Sequence, residues 1–315
     1  MGSKSRIAKR LCACLPPAEH FYDLFCGGGA VTHAAMLSRK WRCFHLNDLH
    51  DGLAALFKQA MYDDVFVNDR RWISREDFFA LKEKDLFVRL CYSFGNDGRT
   101  YLYGRDKEPY KQAFHNIVAL DDGALLAELC PNECDEVIAN VRRHPLKDLR
   151  QRRFAARNAL QKLVIANPML RDANPLYRSI TGYRVGDIRL LQNLEQAERF
   201  FGVRELHNVV KENNVFSTDF DYQDVEILQN SVVYCDIPYN NTHKYACDFD
   251  HERFYKWCLD ADFPVFVSEY QMPDGFTCIA EWTRQNTMSA SANIYATERL
   301  FIQNKFASSY KIGLF

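Results

Sequence analysis

Residues 21–37 read Phe21-Tyr22-Asp23-Leu24-Phe25-Cys26-Gly27-Gly28-Gly29-Ala30-Val31-Thr32-His33-Ala34-Ala35-Met36-Leu37. Phe21 to Phe25 is apolar and aromatic enough for a short buried strand, three glycines break it, and Ala30 to Leu37 has the composition of a helix. A second strand is expected at Cys43-Phe44-His45-Leu46, closed by Asn47-Asp48, with a helix over 51–61 behind it. Strand, glycine turn, helix, strand is how a parallel α/β sheet opens.

The same signal returns only near the other end. Val232–Cys235, Pro264–Ser268, Thr277–Ala280 and Arg299–Ile302 read as strands, and a helix fits between the first two, around His251 to Ala261. The stretch between is rich in charge, tyrosine and helical spacing. Leu149, Ala156, Leu160, Leu163 and Val164 share one helical face, while Arg150, Arg153 and Arg157 line another. The expected organisation is therefore an α/β domain formed by 1–64 and 211–315, split by a mostly helical insertion over 65–210.

The 315 residues are 47% hydrophobic and 26% charged, which excludes disordered and low-complexity classes. No apolar run approaches 18 residues, so no membrane span is expected, and residues 1–6 lead into a helix-like stretch with none of the apolar core of a signal peptide. The eleven cysteines are scattered without a C-x-x-C pair. That pattern predicts a reduced cytoplasmic protein with no metal site. The net charge of −1 hides an asymmetry. Residues 139–190 hold twelve Lys/Arg against three Asp, whereas 212–281 hold fourteen acids against three bases. A basic insertion beside an acidic domain is a footprint to test for nucleic acid.

Glycines between a first strand and a helix let a ligand approach the backbone. Here the last glycine of a dinucleotide fingerprint is missing after Gly27-Gly28-Gly29, and no Lys-Ser/Thr follows, which excludes a phosphate P-loop. Asp23 stands just before the turn, and Asp48 lies at the end of the second strand, where a carboxylate can accept from the hydroxyls of a ribose. A nucleoside cofactor without phosphates suits this set.

Asp236-Ile237-Pro238-Tyr239 directly follows the strand Val232–Cys235. At a strand's carboxyl end the tetrapeptide faces the crevice where open α/β sheets bind ligands. The Asp236 carboxylate and the Ile237 carbonyl can both accept hydrogens of an exocyclic amine, Tyr239 offers a ring for stacking, and Pro238 keeps the backbone extended.

On these residues the chain resembles the Dam-like N6-adenine DNA methyltransferases, especially the phage and prophage versions, whose tetrapeptide is Asp-Pro-Pro-Tyr. Gly2-Ser3-Lys4 resembles the family's N-terminal motif, Asp23–Gly29 its cofactor turn, Asn47-Asp48 its ribose acid, and Ser217-Thr218-Asp219-Phe220 its adenine-contacting segment. Phe266–Tyr270 and Thr297–Ile302 resemble its later strands. The resemblance implies a Rossmann-like methyltransferase sheet with an inserted target-recognition domain and S-adenosyl-L-methionine as cofactor. It implies cofactor contacts from Lys4, Asp23, Phe25, Gly27, Gly29, Asp48, Asp219, Phe220 and Asp236, with Lys4 on the methionine carboxylate. Asp236, Ile237, Pro238 and Tyr239 are the implied catalytic set, acting on an adenine flipped out of double-stranded DNA. Phe94–Gly98 and Glu108–Lys111 resemble phage members within the insertion. Arg99, Tyr101, Tyr103 and Lys107, with Arg150, Arg153 and Arg157, are the candidate DNA contacts. A cognate restriction endonuclease, where one exists, acts separately. Methylation of RNA adenine or of cytosine N4 remains open on the tetrapeptide alone, as does a catalytically silent DNA-binding protein on the same fold.

Overall fold

The computed structural model describes residues 4–50, 52–62, 70–94, 97–132, 134–166, 213–239, 249–286 and 294–310. The chain divides into two compact units, Met1–Asp63 with Phe201–Phe315, and Asp64–Phe200.

The first unit is built on seven strands: β1 (His20–Asp23), β2 (Cys43–Asn47), β3 (Asn214–Thr218), β4 (Ser231–Cys235), β5 (Val265–Glu269), β6 (Phe276–Asn286) and β7 (Ile294–Gln303). Their order across the sheet is β3-β2-β1-β4-β5-β7-β6. The first five positions are parallel, and β7 runs antiparallel to both β5 and β6. This is a Rossmann-like methyltransferase sheet. The expected strands are all present; β6 and β7 extend beyond the stretches read from the sequence, because their outer ends pair with each other rather than with the core. The sequence reading lacked β3 altogether. With Asn214 and Phe216 exposed and only Val215 buried, an edge strand carries too short an apolar signal to stand out.

Helices α1 (Ala8–Cys14), α2 (Ala30–Ser38) and α3 (Leu53–Tyr62) belong to the first half of this unit. One face of the sheet carries Tyr22, Val233, Cys235, Val265 and Val267, packed with Phe254 and Cys258 from α10 (His251–Asp260). Gln303, fully buried on β7, donates to Cys258 and Phe263 carbonyls and accepts from the Val265 amide, so a polar side chain inside the core has its hydrogen bonds satisfied.

The second unit is helical over its described residues: α4 (Arg75–Leu81), α5 (Leu86–Cys91), α6 (Glu108–His115), α7 (Ala124–Leu129), α8 (Cys134–Arg142) and α9 (Leu149–Ala166), with one π turn at Asn116–Leu120 after α6. Phe114, Ile117, Val118, Leu126, Val137, Val141, Ala156 and Leu160 form its core. Of the apolar face expected on α9, Ala156 and Leu160 are buried and Leu149 packs beside them; the side chains of Leu163 and Val164 lie outside the described residues. Arg152 is buried on that same face. Its guanidinium donates to the carbonyls of Ile117, Val118 and His144 and pairs with Asp121, closing the end of the π turn.

Candidate active site

Parallel β1, β2, β3, β4 and β5 all end on one edge of the sheet. The chain turns outward from β1 to β2 on one side and reaches β4 on the other, so a topological switch point falls between β1 and β4. The glycine turn leaves β1 there. Gly27 and Gly29 both have left-handed φ, +49° and +69°. A Cβ on Gly29 would lie 2.4 Å from the Phe57 ring of α3, whereas one on Gly27 would meet nothing within 4 Å. Gly29 is thus required for helix–turn packing, and Gly27 borders open space.

Asp48 holds the turn in place. Its carboxylate accepts the Gly27 amide at 2.8 Å and the His50 amide at 2.9 Å. Next to it, buried Asn47 clamps three elements: its amide group donates to the Leu24 and Phe220 carbonyls, and its oxygen accepts from the Phe220 amide and the Thr218 hydroxyl. This clamp sets Asp219 and Phe220, both exposed, at the end of β3. A cavity of about 300 Å3 opens along Tyr22, His45, Phe216, Thr218 and Phe220. Phe25 is turned into the aromatic cluster of Tyr222, Phe249 and Phe254.

Asp23 is fully buried. Its Oδ2 accepts the Thr32 hydroxyl at 2.6 Å, while its Oδ1 has no hydrogen-bond partner among the described residues. Burial raises its pKa to about 7; the Thr32 hydrogen bond opposes this, and the nearby Asp236 and Asp48 carboxylates add to it.

Asp236-Ile237-Pro238-Tyr239 leaves β4 beside that turn. Asp236 is partly exposed, Ile237 is buried in the core, and the Pro238 carbonyl bonds His251 Nε2 at 2.8 Å. The N-cap of α10 is Asp250, so Asp236 does not serve that helix. Lys4 crosses from the N-terminal 3-10 turn to this tetrapeptide. Its ammonium stands 2.8 Å from Asp236 Oδ1 and 3.3 Å from Glu298 Oε2, donates to the Tyr239 hydroxyl, and lies 4.4 Å from the Tyr239 ring centroid. The Tyr239 hydroxyl donates to Glu298 at 2.6 Å, and the Tyr270 ring meets Tyr239 edge-on. Burial works to lower the Lys4 pKa, but Asp236 and Glu298 outweigh it and the net direction is upward. Burial first, then the same two carboxylates, push the Tyr239 hydroxyl far up, so it stays protonated. Among the described residues no group of three or more His, Cys, Asp and Glu side chains is arranged to hold a metal.

In the second unit Arg99, Lys107 and Arg150 are exposed, Arg153 and Arg157 are half-buried on α9, and Tyr103 is half-buried against Trp72. Tyr101 corrects the sequence expectation. It is 2% exposed, its hydroxyl donates to the Ile73 carbonyl, and it packs on Phe78, so it is a core residue with no face left for DNA. The basic positions from Arg171 to Arg189 lie outside the described residues.

Three residues of the site were not singled out by sequence reasoning. Thr32 carries no local signal beyond the helix it belongs to, and Tyr270 none beyond the end of its strand. Glu298 had a usable signal: it shares period-two spacing with Leu300 and Ile302, both buried, which places a carboxylate on a core-facing row of β7. Arg152 was legible in the same way, at i and i+4 with Ala156 and then Leu160 on the apolar face of α9.

The sheet order places the glycine turn at the switch point and the acidic tetrapeptide across from it, which is the ligand-binding crevice of a Rossmann-like α/β sheet. Residues 1–117 match the family model of the D12 class N6 adenine-specific DNA methyltransferases. Over that stretch, little more than a third of its length, the chain is similar to this family of methyl-transferring enzymes. The match covers the glycine turn, Asp48 and the first helices of the second unit; the tetrapeptide lies beyond it. No curated protein matches the chain. Among solved structures, the rRNA methyltransferase AviRa from Streptomyces viridochromogenes aligns with 96% of this chain and 86% of its own, at 11% identity and a TM-score of 0.36.

Proposed function

We propose that the chain transfers the methyl group of S-adenosyl-L-methionine to the N6 amino group of an adenine flipped out of double-stranded DNA. The observation that carries this reading is the position of Asp236-Ile237-Pro238-Tyr239, at the end of β4 and on the switch point beside the glycine turn.

The residues present fit the cofactor. Asp48 and Asp236 put two carboxylates at the turn, the buried Asp23 carboxyl has an oxygen lacking a described partner, and Gly27 borders open space. That donor set suits a ligand carrying positive charge and no phosphate. When bound, S-adenosyl-L-methionine supplies an electrophilic methyl group on a sulfonium. Asp48, Asp219 and Phe220 would hold its nucleoside end, and Asp23, the Gly27 and Gly29 backbone and Phe25 would shape the rest of its bed; Lys4, expected from the sequence on the methionine carboxylate, is instead engaged by Asp236, Glu298 and Tyr239.

Adenine N6 is a weak nucleophile because its lone pair is delocalised into the ring. Asp236 accepts one N6 hydrogen and the Ile237 carbonyl the other, which raises electron density on nitrogen and leaves an acceptor in place where positive charge develops. Pro238 keeps both acceptors turned outward, and the Tyr239 ring stacks on the extruded base, offsetting part of the few kcal/mol that flipping costs. Holding the target nitrogen against a bound cofactor would supply much of the remaining acceleration. The mechanism needs no thiolate, and burial raises the pKa of Cys12, Cys26, Cys235 and Cys258, so these thiols stay protonated.

Residues 1–64 and 211–315 are the catalytic and cofactor-binding domain in this reading, and 65–210 is the target-recognition insertion. Arg99, Tyr103, Lys107, Arg150, Arg153 and Arg157 supply its phosphate and base contacts. No helix among the described residues is long and apolar enough to cross a membrane. The reading places the enzyme in the cytoplasm, on DNA. The test is incubation with methyl-labelled S-adenosyl-L-methionine and either DNA or RNA, followed by digestion to nucleosides. Label in N6-methyldeoxyadenosine supports the proposal; label confined to a ribonucleoside or to N4-methylcytosine overturns it.

A further inference from the structure

Glu298 sits at the acceptor end of the site although neither the tetrapeptide nor the glycine turn contains it. It is 3% exposed, takes the Tyr239 hydroxyl hydrogen at 2.6 Å, and lies 3.3 Å from the Lys4 ammonium. The shorter contact of that ammonium, 2.8 Å, is to Asp236, and its nitrogen lies 4.4 Å from the centroid of the Tyr239 ring. A nitrogen-borne hydrogen donor on Asp236 and against Tyr239 is the arrangement the N6-adenine reading requires of the target amine. Lys4 therefore stands where the substrate's amino group belongs, and the two compete for one carboxylate.

Withdrawing Lys4 into water is not needed to clear the position. The Glu298 carboxylate is within 0.5 Å of the same contact distance and already shares the ammonium. With Lys4 seated wholly on Glu298, the Asp236 oxygen it held can accept a hydrogen of the target amine.

We propose that Glu298 is a positioning residue of the methyl-transfer site: it fixes Tyr239 through its hydroxyl and is the seat onto which the Lys4 ammonium moves from Asp236 when the target amine enters. This rests on the N6-adenine reading above. In the resting site Lys4 acts as an internal competitor of the base, and Glu298 sets how readily it yields.

The test compares the parent enzyme, Glu298→Gln, Lys4→Met and the double variant at saturating S-adenosyl-L-methionine, on genomic DNA from a host lacking adenine methylation. Glutamine keeps the shape of Glu298 and still accepts from Tyr239, so a packing role alone leaves the kinetics of Glu298→Gln at parental values. The expected result is a KM for DNA raised on the order of tenfold with kcat within about threefold, because Lys4 has lost its second carboxylate. Adding Lys4→Met removes the competitor, so the double variant has the KM of Lys4→Met alone. A parental KM in Glu298→Gln overturns the proposal, as do effects of the two substitutions that simply multiply. Should Glu298→Gln not fold, Glu298→Asp keeps the charge and sets it back by one methylene: a raised KM relieved by Lys4→Met sustains the proposal, and any other result refutes it. A parent that yields no N6-methyladenine refutes the underlying reading instead, and is recognised before any variant is compared.

Discussion

Asp23 and Asp236 are both carboxylates at strand ends, yet their surroundings set them to different tasks. Asp236 faces an ammonium and is partly exposed. Replacing it with alanine removes the acceptor for the target amine, and kcat is expected to fall by about 10²–10³-fold, the loss typical of one preorganised electrostatic partner. Circular dichroism of the variant should keep the parental helix and strand content; an undiminished kcat would remove the catalytic assignment. Asp23 is enclosed, and its pKa of about 7 makes it a stability group. The folded protein keeps this proton up to about pH 7, whereas the unfolded chain releases it near the ordinary carboxylate value. Stability is therefore greatest below the unfolded pKa and is lost as pH rises from about 4 to about 7, with a slope approaching 1.4 kcal/mol per pH unit. His45 works in the opposite direction, since burial first and then His20 lower its pKa to about 4. Urea unfolding of the parent and of Asp23→Asn at pH 5 and pH 7.5 isolates the aspartate. The gap in stability between the two pH values should shift upward in the variant; parallel pH dependence would exclude Asp23 as its source.

At the scale of elements, the glycine turn shows how one position is fixed twice, by backbone and by packing. Gly29 needs a left-handed φ and also leaves room for the Phe57 ring of α3. Gly29→Ala adds a methyl group against a buried ring in a conformation that alanine dislikes, and is expected to cost about 3 kcal/mol. The urea midpoint of Gly29→Ala should fall accordingly, and pairing it with Phe57→Leu should recover part of the loss that the two single variants would predict by addition. In the sequence the turn was plain, because strand, glycines and helix follow one another within seventeen residues. The edge strand β3 was not, since only Val215 of its five residues is buried and the apolar alternation that reveals a strand never develops. Arg152 stands apart from the basic stripe of Arg150, Arg153 and Arg157: it shares the apolar face with Ala156 and Leu160 and finds three carbonyls and an aspartate inside the helical unit.

At the scale of the whole molecule, charge is divided between an acidic sheet-bearing domain and a basic helical one. Counterion release makes such a division measurable, since each phosphate contact contributes about 0.9 to the slope of log affinity against log salt. Replacing Arg150 and Arg153 by glutamate is expected to weaken binding to duplex DNA and to lower that slope by about 2. Fluorescence anisotropy at 50 to 200 mM salt measures both, and an unchanged slope would return these arginines to a merely solvated face.

Local order was enough for the strand, glycine turn and helix of residues 21–37, for the second strand with its acid, and for the acidic tetrapeptide after a late strand, because each is made of neighbours in the chain. The pairing of Lys4 with Asp236 and Tyr239, the burial of Glu298 beside Tyr239 and the Asn47 clamp on Phe220 join residues 59 to 235 positions apart. No local periodicity encodes such contacts. They arise when the parallel strands bring their carboxyl ends to one edge, and only the folded sheet decides which charges meet there.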